Sequence, residues 1–111
     1  MARVVEIRSY YLQPNSRDTF HALMVEQSVP MLRRWTVDVV AFGPSLHDQD
    51  SYYLIRAYDS LEDRRRSQDA FYGSAEWREG PRESILPLID SYTSIVIEMD
   101  EVVIAALRSR P

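Results

Sequence analysis

Hydrophobic and polar positions alternate with a period of two in four stretches of the chain, and the stretches between them show the wider spacing of helices. Because successive side chains of a strand point to opposite faces, the alternation predicts β-strands. The predicted strands cover residues 4–12, 37–42, 52–58 and 92–99. Helical spacing predicts helices over residues 17–35 and 60–72 and shorter helical turns at 75–78 and 83–88.

The order strand, helix, strand, strand, helix, strand is a doubled βαβ pattern. It predicts a ferredoxin-like α+β fold, a four-stranded antiparallel sheet with helices on one face and the first and third strands in the middle. Pro30 lies inside the first helical pattern, so we expect a kink or break near Ser28 and Val29. Asp59, with Glu62 three residues later, is predicted to cap the second helix.

Two of the predicted strands are apolar on both faces. The second strand offers Val37, Val39 and Ala41 on one face and Val40 and Phe42 on the other; the fourth offers Ile95, Ile97 and Met99 against Tyr92 and Val96. Such strands are buried on both sides, yet the predicted helices cover only one. We therefore expect a homodimer that packs sheet against sheet. The alternative is that the long loops fold over the bare face.

The amino-acid composition excludes several kinds of site and partner. The 111 residues suit one domain, and all thirteen basic residues are arginine, with no cysteine and no lysine. Disulfides, thiolate zinc sites and Schiff-base chemistry are thereby excluded. The net charge of −4 argues against a nucleic-acid partner, and no stretch is long and apolar enough for a signal peptide or membrane span. We expect a cytoplasmic protein, and with three glycines and no phosphate loop we expect no cofactor.

The candidate site lies on the two central strands. Glu6, Arg8 and Tyr10 share one face of the first strand, and Arg56 and Tyr58 share one face of the third. Charges on central strands are costly unless they are paired or face a cavity. One interpretation is that Glu6 simply neutralises Arg8 or Arg56. The other is a pocket for a small anionic or aromatic molecule.

The remaining candidates are weaker. His21, on the first helix, is kept as a ligand-binding candidate, although a structural hydrogen bond is the simpler interpretation. His47 lies in a loop rich in aspartate, without the spacing of a metal site, so no metal is expected. The run at 64–66 is interpreted as a solvent-exposed face, with Arg65 as the one member that points inward, near Leu61 and Tyr72.

Five segments, in order, carry a resemblance to a known family: VEIRSYYLQP, VPMLRRW, YLIRAYDSLEDRRR, SAEWRE and ESILPLI. Together they resemble the NIPSNAP family of the dimeric α/β-barrel superfamily. The resemblance covers residues 1–99 and implies a sheet-to-sheet dimer. It leaves out a tail, 100–111, which we expect to pack on its own or the partner subunit. The family often has an aromatic residue at the position of Arg56, and this chain departs from it there.

The resemblance implies two classes of function, because members of this short type have no generally agreed activity. The first is a module of unresolved activity that binds a small molecule or is structural. The alternative is a cofactor-independent monooxygenase or isomerase acting on a small aromatic or enolisable substrate. Since cysteine, lysine and a metal motif are missing, the sequence favours the first.

Overall fold

A four-stranded antiparallel sheet in the order β2-β3-β1-β4 forms one layer of the protein in the computed structural model, which describes residues 1–108. The strands are β1 (Ala2–Leu12), β2 (Asp38–Pro44), β3 (Ser51–Tyr58) and β4 (Ile89–Asp100). The predicted ferredoxin-like arrangement is confirmed, with β1 and β3 in the middle. Residues Glu6 and Arg56 are directly paired across these two strands.

Helices cover one face of the sheet. They are α1 (Arg17–Leu23), α2 (Val29–Arg34), α3 (Leu61–Tyr72), α4 (Ala75–Arg78) and α5 (Pro81–Ile85), the last followed by a 3₁₀ turn, Leu86–Leu88. A main core lies between them and the sheet and contains Phe20, Met31, Leu54 and Phe71. This layer encloses the helix-side face of the sheet.

The predicted break in the first helix is confirmed. A π-helical turn, Met24–Ser28, separates α1 from α2, and the backbone N–H of Val29 donates to the Met24 carbonyl five residues earlier. Pro30 has no N–H to donate, which explains why the regular ladder fails at this point.

Two local predictions are wrong by one residue. The cap of α3 is Ser60 rather than Asp59: the Ser60 hydroxyl accepts from the backbone N–H of Asp63, whose carboxylate accepts from the N–H of Asp59. In β2 the pairing with β3 shifts between Val39 and Ala41. This bulge interrupts the alternation that the sequence predicted for the second strand, because the extra residue reverses the sides that follow it.

The second face of the sheet carries a smaller core and the C-terminal helix, α6 (Glu101–Arg108). Ile104 of α6 is buried against Val5, Val40, Ile55 and Ala57. A bidentate ion pair joins Arg108 to Asp38, with nitrogen–oxygen distances of 2.7 and 2.6 Å. The helix therefore packs on its own sheet. The last three residues of the predicted tail, 109–111, lie outside the described residues.

Across residues 1–108, none of the helices has the length and apolar character needed to cross a membrane.

Candidate functional site

A buried carboxylate stands at the centre of the candidate site. Glu6 is fully buried on β1, and three arginines donate to it. The Arg56 guanidinium lies 2.6 Å from one carboxylate oxygen, and the guanidiniums of Arg8 and Arg64 each lie 3.0 Å from the other. Glu6 and Arg8 share one face of the sheet because they are two residues apart on β1, and Arg56, on β3, shares it because it is paired with Glu6. Helix α3 supplies Arg64.

Two further residues of α3 complete the cluster. The Gln68 amide donates to Glu6 at 2.6 Å and to the Tyr58 hydroxyl at 3.2 Å. The Tyr72 hydroxyl accepts from Arg56 at 2.7 Å and from Arg8 at 3.5 Å. Neither contact uses the hydroxyl hydrogen of Tyr72. Since two cationic groups donate to its oxygen, this phenol is a polarised hydrogen-bond donor.

The electrostatics of the cluster favour an ionised Glu6 and a neutral Tyr10. Burial alone would raise the pKa of Glu6, but the charges of Arg56 and Arg8 and the hydrogen bond from Arg64 outweigh it and hold the pKa at about 2. Burial raises the pKa of Tyr10 to about 12, so its phenol keeps its proton at neutral pH.

The cluster has more positive than negative charge. Within residues 1–108, Glu6 is the only carboxylate that lies within ion-pair distance of Arg8, Arg56 and Arg64. Three guanidiniums against one carboxylate leave a formal excess of two positive charges. Arg8 also donates to Ser94 through its Nε and lies over the ring of Tyr92, 4.6 Å from the ring centre. Its terminal nitrogens keep donor capacity beyond the contacts to Glu6 and Tyr72.

A cavity of about 320 Å³ lies beside the cluster, between the sheet and the helices. Arg8 is the only charged residue among its described lining residues. Six aromatic side chains contribute to its walls: Tyr10, Phe20, Phe71, Tyr72, Trp77 and Tyr92. Two of the lining residues, Tyr92 and Leu86, are exposed to solvent. The site is thus a largely apolar cavity, with six aromatic and six other apolar side chains among its described lining residues and one cationic group in its wall.

The structure brings five of the six predicted site residues together. Glu6, Arg8 and Arg56 are linked by ion pairs, Tyr58 joins them through Gln68, and Tyr10 lies beside Arg8 in the cavity wall. Only Arg8 and Tyr10 of the set line the cavity. The sixth residue is separate: His21 shares a 2.6 Å hydrogen bond with the Tyr52 hydroxyl and does not line the cavity.

The loop histidine and the acidic residues form no metal site in the part of the chain that the structure describes. His47 is exposed and shares a 3.0 Å hydrogen bond with Ser45. No group of three histidine or acidic side chains there is placed to hold a metal ion.

The contribution of α3 was predicted wrongly. Arg65 pairs with Glu62 and Asp69 in solvent, whereas Arg64, with a side chain 25% exposed, is the one that points inward. Leu61, near which Arg65 was expected to point inward, is itself 64% exposed. The inward stripe is polar: Arg64, Gln68 and Tyr72, spaced four residues apart. The sequence signal was this spacing, which puts the three residues on one helical face but does not say that this face meets the sheet.

Comparison with known proteins identifies a family and solved structures that resemble this chain. A family model for NIPSNAP matches residues 5–98. An uncharacterized NIPSNAP-like domain protein from Burkholderia xenovorans superimposes with a TM-score of 0.79 at 23% identity, covering 86% of this chain and 83% of that one. A NIPSNAP family protein from Agrobacterium tumefaciens gives 0.80 at 17% identity, covering 87% of each chain.

Other solved structures with this fold have different descriptions. A candidate antibiotic biosynthesis monooxygenase from Bordetella bronchiseptica superimposes with a TM-score of 0.67 at 21% identity, covering 91% of this chain and 98% of that one. At such identities the likeness establishes the fold alone. No curated protein matches the chain significantly. The family model spans most of the sequence and both central strands, and by that match the chain belongs to the NIPSNAP family.

Proposed function

We propose that the protein binds a small organic anion in the cavity on the helix side of its sheet. The observation that carries the proposal is the unequal charge of the site, where three arginines share one carboxylate and one of them, Arg8, lines the cavity. A carboxylate seated against Arg8 would offset part of the excess positive charge. It would form charge-assisted hydrogen bonds with the guanidinium, and Tyr72 would donate a further one.

The volume and the lining of the cavity indicate the size and the uncharged part of the ligand. A cavity of about 320 Å³ has room for a molecule of roughly ten to fifteen non-hydrogen atoms. Its aromatic lining suits a flat apolar body, because aromatic rings pack edge to face or offset against one another. We therefore favour an aromatic carboxylate as the ligand class.

The test is calorimetric titration of the homogeneous protein with phenylacetate at low salt. We expect the wild type to bind and the Arg8→Met variant to lose at least tenfold in affinity, because the anion loses its cationic partner. Arg65→Met is the matched control, since Arg65 is exposed on α3 and outside the cavity. An Arg8→Met variant that binds phenylacetate as tightly as the control does would contradict the proposal.

We also propose that the protein is a homodimer through the open face of its sheet. Helix α6 covers the β2–β3 side of that face, but on β4 Ile95 remains 58% exposed and Ile97 is partly exposed, and Val103 of α6 is exposed too. Exposed apolar side chains in one patch are typical of an interface. The two-fold arrangement buries the same patch on both copies.

Sedimentation velocity at micromolar concentration tests the dimer. Ile95→Glu places a charge in the proposed interface and is expected to give a monomer. Val25→Glu is the control, because Val25 is similarly exposed but belongs to the helical layer. A wild-type monomer, or an Ile95→Glu variant that still sediments as the wild type does, would contradict this part of the proposal.

The alternative is a cofactor-independent monooxygenase or isomerase. The polarised Tyr72 hydroxyl favours it, because such a donor stabilises an oxyanion that forms from a phenol or an enolisable ketone. Structures with this fold that are described as candidate antibiotic biosynthesis monooxygenases add to it. Among the described lining residues, however, there is neither a histidine nor a carboxylate to remove a proton.

Oxygen consumption and proton exchange with phenols and enolisable ketones test the alternative. If it is correct, turnover is expected in the wild type and should fall at least tenfold in Tyr72→Phe, which keeps the ring and loses the hydroxyl. Equal background rates with and without protein would exclude it for those substrates.

A further inference from the structure

One polar group in the cavity wall has no hydrogen-bond partner among residues 1–108. Ser28 is only 3% exposed, and its hydroxyl oxygen is buried without a hydrogen bond to any described residue. A serine inside a helix ordinarily donates to the carbonyl four residues earlier. Here it does not. A buried hydroxyl left unpaired destabilises the protein, so its presence calls for a function.

Ser28 is also one of the residues that line the cavity. Ser28 ends the π-helical turn between α1 and α2, and it lines the cavity together with Met24 and Leu32, its neighbours one turn before and after on the same helical face. Both neighbours are apolar. Among the described lining residues, Ser28 is the one polar residue that residues 17–34 contribute, whereas Gln68 and Tyr72 come from α3 and Arg8 comes from the sheet.

We propose that Ser28 is a second polar contact for the ligand, and that the ligand is an aromatic carboxylate with a hydroxyl or carbonyl group at the end away from its carboxylate. This inference rests on the proposed function. Arg8 holds the carboxylate at one wall, the ring lies among the aromatic side chains, and the Ser28 hydroxyl pairs with the distal oxygen.

The experiment compares two acids that differ by a single hydroxyl. Wild-type protein is titrated calorimetrically with phenylacetate and with 4-hydroxyphenylacetate. We expect the hydroxylated acid to bind about fivefold to tenfold more tightly, the effect of one additional buried hydrogen bond. In Ser28→Ala this preference should disappear while the affinity for phenylacetate stays unchanged. Ser67→Ala, on α3 and outside the cavity, should keep the preference.

Each failure has a different meaning. If both acids bind equally to the wild type, or if Ser28→Ala keeps the preference, the assignment of Ser28 is overturned while the anion site at Arg8 stands. If neither acid binds the wild type, the proposed function fails and the assignment of Ser28 fails with it.

A second measurement needs no ligand. Because Ser28→Ala removes an unpaired buried hydroxyl with little change in volume, the melting temperature of the ligand-free variant should rise by a few degrees. A melting temperature below that of the wild type would show that the hydroxyl has a partner within the protein, and this would overturn the inference.

Discussion

The two faces of the sheet bury different kinds of side chain. The helix-side face carries charges on its central strands, and α3 covers them with a polar stripe that forms ion pairs and hydrogen bonds. The other face carries apolar residues such as Val5 and Ile55, and α6 covers part of them with Ile104. The usual arrangement has the apolar side under the helices. Here part of that side is polar.

An arginine–carboxylate ion pair therefore contributes differently to stability on the two faces. On the helix side, the ion pairs of Glu6 with Arg56 and Arg8 are deeply buried, and these three groups depend on one another for the interactions that replace water. On the open side, the pair of Arg108 with Asp38 is close and bidentate but partly exposed. Water is able to replace a lost partner there. The predictions below use this contrast.

The largest effect is expected for Glu6→Leu. The change leaves three guanidiniums without their shared carboxylate, and Arg56 is as fully buried as Glu6. Removing one side of a buried ion cluster is expected to lower the free energy of unfolding by roughly 3–5 kcal/mol. Urea denaturation measures this.

Glu62→Leu is the control for Glu6→Leu, because Glu62 makes its ion pair with Arg65 in solvent and should change stability by less than about 0.5 kcal/mol. Equal losses in the two variants would contradict the contrast. A second change, Arg8→Met, should not rescue Glu6→Leu, since Arg56 and Arg64 still lack a counter-charge.

The second-largest effect is expected on the stability of the protein at acid pH. The pKa of Glu6 lies at about 2 in the folded protein against an ordinary 4.5. A lowered pKa stabilises the folded state above pH 4.5, and this contribution is lost as the pH falls from about 4.5 to about 2. The difference corresponds to about 3 kcal/mol.

Urea denaturation between pH 7 and pH 2 measures the acid effect. The variant Glu6→Gln should be less stable at pH 7 but should lose less stability than the wild type between pH 4.5 and pH 2. Subtracting its curve removes the contributions of other carboxylates, such as Asp38 with its lowered pKa. Parallel curves would mean that Glu6 titrates normally.

A smaller effect is expected on the open face from Ile104→Ala. Ile104 is the buried anchor of α6, and its truncation removes apolar contacts with Val40 and Ile55. We expect a loss of roughly 2 kcal/mol, near the lower end for such changes because the helix lies at the edge of the core. Hydrogen exchange should show α6 opening before the sheet does. An unchanged exchange pattern in α6 would contradict its role as a cover.

The smallest effect is expected for Arg108→Met. Its ion pair with Asp38 is partly exposed, and Arg3 also pairs with Asp38 at 2.8 Å, so the carboxylate keeps one partner. We expect a loss of no more than about 1 kcal/mol that shrinks further in high salt. A loss as large as that of Glu6→Leu would show that the two faces do not differ in the way described.

The sequence determined the features that depend on local pattern. Period-two alternation located the four strands and put Glu6, Arg8 and Tyr10 on one face, and the order of elements placed β1 and β3 side by side. Pro30 located the break in the first helix because a missing N–H acts within one turn. These are consequences of backbone geometry and short-range chemistry, which need no knowledge of the packing.

Only the tertiary structure decided which side of α3 meets the sheet. Arg64 and Arg65 are adjacent in a polar run, and the one that reaches Glu6 is set by the rotation of the helix against a face 58 residues earlier in the chain. The cavity, the unpaired Ser28 and the seat of α6 on the sheet likewise arise where distant elements meet. Local periodicity does not encode such contacts, because they depend on how whole layers fit together.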